Sequence, residues 1–225
     1  MSEDMPALDL AHVPLRYPDV YPPTMPDTIF FQETLSAVEE LSPTAVILEV
    51  ACGAAPLAAL LAKRHPRAYI LASDVSASAC SCAAETVARN GISTQQVCRL
   101  DLTLGLRPGL IDLLVCHPPY VPTSADVLNA ATCEAAAGKT CENVEAAAWT
   151  WAGGPGGTGL LDRLLSALPT ILAPKGSALV LWFEPSLAES FPHLEALGLR
   201  CSLVSERRLR SERFCVLRVE RDGEP

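Results

Sequence analysis

The chain holds 225 residues, 49% apolar and 19% charged, with a net charge of −9 at pH 7; this composition supports one sizeable core and excludes a disordered chain. The acidic balance argues against a surface that neutralises nucleic-acid phosphates, so a protein or small-molecule substrate is expected. The nine cysteines include no Cys-x-x-Cys pair and sit mostly inside apolar runs, as in Cys98, Cys116 and Cys215; they read as buried thiols of a reducing compartment, with no metal site among them. The acidic start Met1-Ser2-Glu3-Asp4 and the lack of a long uncharged apolar run argue against a signal peptide or membrane anchor, which points to the cytosol or nucleus.

Residues 1–26 hold six of the 19 prolines and are predicted to form an extended, Pro-rich leader along the body of a single domain spanning 27–225. From Asp27, an N-cap candidate, the apolar positions Ile29, Phe30, Leu35 and Val38 predict a helix to about Glu40. The run Ala45-Val46-Ile47-Leu48-Glu49-Val50 is a buried strand, followed by a short Ala/Gly loop and a helix near 56–64. The alternation continues with strands near 69–73 and 95–99, a helix over 77–89 between them, and a strand over 111–116. An Ala-rich stretch at 124–148 has no clear period and reads as an insertion. Beyond it come a helix over Leu160–Leu172, a strand over Ser177–Phe183, a helix over Leu187–Leu197, and strands near 200–205 and 213–219 that form a hairpin. Seven strands alternating with helices specify an α/β fold: a Rossmann-like, doubly wound sheet, parallel except near one edge.

Ligands of such sheets gather at the carboxyl ends of the strands, and three acidic positions fall there. Glu49 ends the first strand, beside the turn that holds Gly53. Asp74 ends the second strand 21 residues after Gly53, near the spacing at which a carboxylate binds ribose hydroxyls. A helix cap is the other reading of Asp74. Asp101 with Leu102 follows the third strand, where a carboxylate and an apolar contact suit an adenine ring, although a lone loop Asp is commonly a turn residue. The fourth strand stops in His117-Pro118-Pro119-Tyr120, a rigid, polar-lipped loop. His12, His65 and His193 read as solvated surface, and Trp149 and Trp151 fit either a peptide-gripping rim or buried packing.

The ordered series Tyr21-Pro22-Pro23, Asp27-Thr28, Leu48-Glu49-Val50, Ser73-Asp74-Val75, Leu100-Asp101-Leu102, Ile111-Asp112-Leu113-Leu114-Val115, Pro118-Pro119-Tyr120-Val121, Trp151-Ala152-Gly153-Gly154 and Asp162-Arg163 resembles the eukaryotic and archaeal HemK-type methyltransferases that modify a release-factor glutamine. The resemblance covers nearly the whole chain. It implies a class I methyltransferase fold, S-adenosylmethionine as methyl donor, N5-methylation of a glutamine side chain in a class-1 translation release factor, and a heterodimer with a small zinc-binding activator subunit; exposed apolar residues on the sheet edge near Val97 or the helix before it would be the natural dock for such a subunit. It places Tyr21 and Thr28 at the methionine end of the cofactor, Glu49 and Gly53 beneath it, Asp74 on the ribose, Asp101 and Leu102 at the adenine, and Pro118 and Tyr120 around the acceptor amide.

The chain departs from that pattern in three ways: Ala51, Ala54 and Ala55 occupy a glycine-rich turn, Met25-Pro26 replaces an acidic residue before Asp27-Thr28, and His117 stands where the motif has Asn. A neutral imidazole has one acceptor nitrogen, and Nδ1 lies about as far from the backbone as an Asn side-chain oxygen, so His117 is able to take the catalytic role. The alternatives are a catalytically impaired, methyltransferase-fold binding module and an adenine N6-methyltransferase; a nicotinamide oxidoreductase lacks its Gly-x-Gly-x-x-Gly turn.

Overall fold

The computed structural model describes residues 5–37, 41–183 and 194–222. In chain order it contains α1 (His12–Arg16), α2 (Pro26–Leu35), β1 (Val46–Val50), α3 (Pro56–Arg64), β2 (Tyr69–Asp74), α4 (Ala77–Arg89), β3 (Gln95–Arg99), β4 (Ile111–Cys116), β5 (Val121–Pro122), α5 (Ala125–Ala136), β6 (Ala152–Gly154), α6 (Gly159–Ile171), β7 (Leu172–Phe183), β8 (Leu199–Leu209) and β9 (Glu212–Arg221). Seven strands form one sheet in the order β3-β2-β1-β4-β7-β9-β8. Strand β9 is antiparallel to both β7 and β8, whereas β3, β2, β1, β4 and β7 pair in parallel. The order reverses between β1 and β4, so a crevice opens beyond the carboxyl ends of those two strands.

Period-two alternation sends each strand into both faces of the sheet. On β1, Ile47 joins Phe30, Phe31, Leu57 and Leu61 on the α2/α3 side. Leu48 and Val50 join Leu161, Leu164, Leu168 and Trp182 on the α6 side. Each fully buried Leu or Phe contributes about 2 kcal/mol. The same parity directs Glu49 toward α3, and it directs His117, one residue beyond Cys116, toward α2.

Several elements differ from the sequence reading. Met25, not Asp27, is the N-cap of α2; Pro26 takes the first helical turn, where its missing N–H costs nothing, and Asp27 follows inside it. The helix ends at Leu35, while residues 38–40 of the predicted span lie outside the described residues, as do His193 and most of the helix expected over Leu187–Leu197. The leader is not wholly extended, because α1 interrupts it. It does lie along the body: Val13 and Val20 pack on Ala79 and Cys82 of α4, and Asp9 pairs with Arg89 at 2.7 Å. His12 is buried rather than solvated, with Nε2 3.1 Å from the Thr86 hydroxyl. The Ala-rich stretch supplies α5, capped by the Ser124 side chain, and the short parallel pair β5–β6 was not anticipated. The hairpin strands are longer than predicted and turn at Arg210-Ser211. Among the described residues no helix is long and apolar enough to cross a membrane.

The glycine-poor turn after β1 carries the strain that its composition implied. Ala51 has φ 53° and Ala55 φ 54°, both in the left-handed region that a Cβ disfavours, whereas Ala54 has no positive φ. Replacing Ala51 with Gly is expected to raise the unfolding free energy by about 1 kcal/mol in a urea titration; an unchanged or lowered midpoint would show that packing of this methyl outweighs the backbone relief.

Candidate active site

Glu49 is buried, and its carboxylate accepts a 2.7 Å hydrogen bond from the Ala58 N–H at the start of α3. It therefore satisfies a donor that the helix leaves open and sits at the positive end of the helix dipole. Burial pushes its carboxyl up to about 8, against the pull of the Ala58 and Leu57 N–H groups. Asp74 bridges two loops, taking the Gly53 N–H on Oδ2 at 3.0 Å and the Ser76 N–H on Oδ1 at 2.9 Å. Burial raises its carboxyl too, partly offset by these bonds. Asp101 is joined at 2.7 Å by Arg163 from α6, and Leu102 beside it holds φ 52°.

Next to the cleft-lining Tyr21, Thr28 and His117, Asp27 is 4% exposed and gathers donors from three segments. Tyr21 Oη donates at 3.0 Å, Tyr120 Oη at 2.7 Å and the Thr28 N–H at 2.8 Å, while His117 Nε2 lies 3.3 Å from Oδ2. Burial would push this carboxyl up, but the hydrogen bond and charge of His117, with the bonds from Tyr120 and Thr28, outweigh it and hold Asp27 well below the usual carboxylate range. Both phenols are pushed above their usual range, first by burial and then by the Asp27 charge, so they stay protonated as donors. The other ring nitrogen of His117, Nδ1, is 3.3 Å from the Thr28 hydroxyl.

The loop after β4 is braced from behind. Tyr120 stacks on His117 at 6.1 Å and packs against Phe183 and Phe214 at 5.8 and 5.4 Å, so β7 and β9 back the loop. Val121 N–H donates to the Trp151 carbonyl at 2.9 Å. Gly157, at φ +79°, lies so close to the Tyr120 carbonyl that any Cβ there would collide with it.

Tyr21, Thr28, Glu49, Gly53, Asp74, Asp101, Leu102, His117, Pro118 and Tyr120 all line one cleft. Trp149 and Trp151 line it as well, both half-buried. Sequence reasoning gave no role to Leu128 and Thr132 of α5, which face the same cleft, because the Ala-rich segment has no period to reveal its buried side. It also took Asp27 for a helix cap and had no signal for Arg163 reaching Asp101.

The family model "Methyltransferase small domain" matches residues 28–138. Over 208 residues, 90% of each chain, the sequence is 32% identical to Methyltransferase HEMK2 of Mus musculus. The chain belongs to the HemK-type methyltransferases. It is also 37% identical over 95 residues, 40% of this chain and 33% of the relative, to a release factor glutamine methyltransferase of Koribacter versatilis. In fold it is similar to the methyltransferase of the E. cuniculi Mtq2-Trm112 complex responsible for methylation of the eRF1 termination factor, with TM-score 0.63, 18% identity, and coverage of 91% of this chain and 99% of that one. Members of this class I family take their methyl group from S-adenosylmethionine. The residues present fit an adenosine group: Asp74 is anchored by backbone N–H groups with lone pairs to spare, and Val75, Leu100 and Leu102 give the cleft an apolar wall.

Two outcomes follow from this geometry. Because the Glu49 carboxyl titrates near 8 when folded and near 4.5 otherwise, the folded state keeps a proton that the unfolded chain has lost, and stability falls as pH rises through that interval. Thermal unfolding of the ligand-free protein should drop between pH 6 and 9 more steeply than that of Glu49→Gln; parallel curves would contradict the assignment. Gly157→Ala should displace the Tyr120 carbonyl and lower methyl transfer by more than about tenfold, with a smaller effect on cofactor affinity measured by calorimetry; equal losses in both would point to general unfolding.

Proposed function

We propose that the chain transfers a methyl group from S-adenosylmethionine to the side-chain amide nitrogen of a glutamine in a class-1 translation release factor. The observation that carries this reading is the His117-Pro118-Pro119-Tyr120 loop, which ends the same cleft that the carboxylates of Asp74 and Asp101 line. The cofactor would supply an electrophilic methyl group. Tyr21 and Thr28 would face its methionine end, Glu49 and Gly53 would form the turn beneath it, Asp74 would accept from the ribose hydroxyls, and Asp101 with Leu102 would meet the adenine.

An amide nitrogen is a poor nucleophile because its lone pair is delocalised, so the enzyme must hold both N–H groups and aim the nitrogen at the methyl carbon. His117 and the Pro118 carbonyl would be the two acceptors, and Tyr120 would shape the space between them. When bound, the cofactor would give its methyl group to the nitrogen and leave as the neutral thioether S-adenosylhomocysteine, while the nitrogen would lose one proton to water. Trp149 and Trp151 would grip the peptide beside the glutamine.

The activator is the second part of the proposal. The E. cuniculi neighbour is a complex with Trm112, and a small zinc-binding activator subunit would pair with this chain along the β3 edge, near Val97 or α4. The cytosol is the compartment in which the release factor is met.

The test is mass spectrometry of a purified release factor after incubation with the chain, its activator and isotopically labelled cofactor. One labelled methyl on a glutamine side chain is expected, and Asp74→Ala should raise the cofactor KM at least about tenfold with a smaller change in kcat. Label on lysine, or tight cofactor binding without transfer to the release factor, would overturn the assignment.

A further inference from the structure

We propose that Asp27 is a positioning residue that pins the proton of His117 on Nε2 and thereby makes Nδ1 a hydrogen-bond acceptor at the reacting end of the cleft. Only the identity of the amide that Nδ1 would accept from rests on the function proposed above.

Asp27 accepts hydrogen bonds from the Tyr21 and Tyr120 hydroxyls and from the Thr28 N–H, a donor set that suits a carboxylate, and an ionised carboxylate accepts hydrogen bonds but donates none. His117 Nε2, 3.3 Å from Asp27 Oδ2, must therefore carry a hydrogen. A neutral imidazole has one N–H, so Nδ1 is bare. Its neighbour is the Thr28 hydroxyl at 3.3 Å, a group able to donate to it and to yield to a stronger or better-placed donor. An Asn at position 117 would present its oxygen unaided, whereas a His presents an acceptor only if something selects the tautomer. The buried carboxylate does so here.

The surroundings hold the ring in that state. Tyr120 stacks on the imidazole with planes 6° apart, and Tyr21 meets it edge-on at 5.6 Å. Both phenols remain protonated and donate to Asp27, so neither competes for Nδ1. Glu49 and Asp74 line the same cleft from the ends of β1 and β2. A protonated imidazole has no acceptor lone pair on Nδ1. Methyl transfer by this chain consequently requires the neutral ring and carries an acidic limb that an enzyme with Asn at this position lacks.

The test uses the full chain labelled with 13C,15N-histidine, and the His117 signals are identified by their loss in H117N. Long-range 1H–15N spectra at pH 8 should show the Nε2–H tautomer, and D27N should shift the signals toward a mixture of both tautomers. An Nδ1–H tautomer in the unmodified chain, or an unaltered tautomer in D27N, would overturn the proposal; the first of these is readable even if D27N fails to fold. With release factor as substrate, the transfer rate should fall as pH is lowered from 8 to 5, because a protonated ring offers the amide no acceptor. Glu49 also titrates near 8, so E49Q is run in parallel and should keep this limb. A flat profile would remove Nδ1 as the acceptor. An Nε2–H tautomer without any glutamine methylation would support the positioning role while removing the substrate.

Discussion

A charged carboxylate enclosed by aromatic rings persists only if donors surround it, and Asp27 imposes that requirement on this fold. Its donors come from the leader (Tyr21), from α2 (Thr28 N–H) and from the loop after β4 (Tyr120), with the His117 ring beside them. Docking of the leader, placement of α2 and shaping of the loop are therefore one event. Phe183 of β7 and Phe214 of β9 extend the coupling to the antiparallel edge of the sheet.

The three acidic strand ends share a position in the sheet and differ in their work. Glu49 is turned by strand parity toward α3 and caps that helix. Asp74 ties together the loops after β1 and β2. Asp101, with a third of its side chain exposed, is held by Arg163 of α6. One side chain stabilises a helix, one fixes a turn and one is steered by an ion pair, so a single sheet edge yields a graded surface instead of three equivalent anions. The left-handed Ala51 and Ala55 belong to the same economy of space, since the chain must turn sharply to bring Gly53 N–H under Asp74.

Strands and helices governed by local pattern were legible in the sequence. The apolar runs at 46–50 and 111–116, the helix at 77–89 and the antiparallel hairpin stand where periodicity places them. The strand-end carboxylates were also legible, because chain spacing alone puts them at one edge. What escaped depends on distant partners. His12 opens the short helix α1 of a proline-rich segment and is buried against Thr86 and Cys82 of α4. Asp27 resembles a helix cap locally, and its true partners at Tyr120 and His117 are contributed by a loop far along the chain. The β5–β6 pair is too short and too rich in Pro and Gly for any pattern to mark it.

The most direct measurement is a crystal structure of the chain with S-adenosylhomocysteine and a glutamine-bearing release-factor peptide. The account predicts the glutamine amide nitrogen within about 3 Å of both His117 Nδ1 and the Pro118 carbonyl, with the nucleoside between Asp74 and Asp101. A glutamine seated elsewhere, or His117 Nδ1 still bound to Thr28 with the peptide in place, would contradict it.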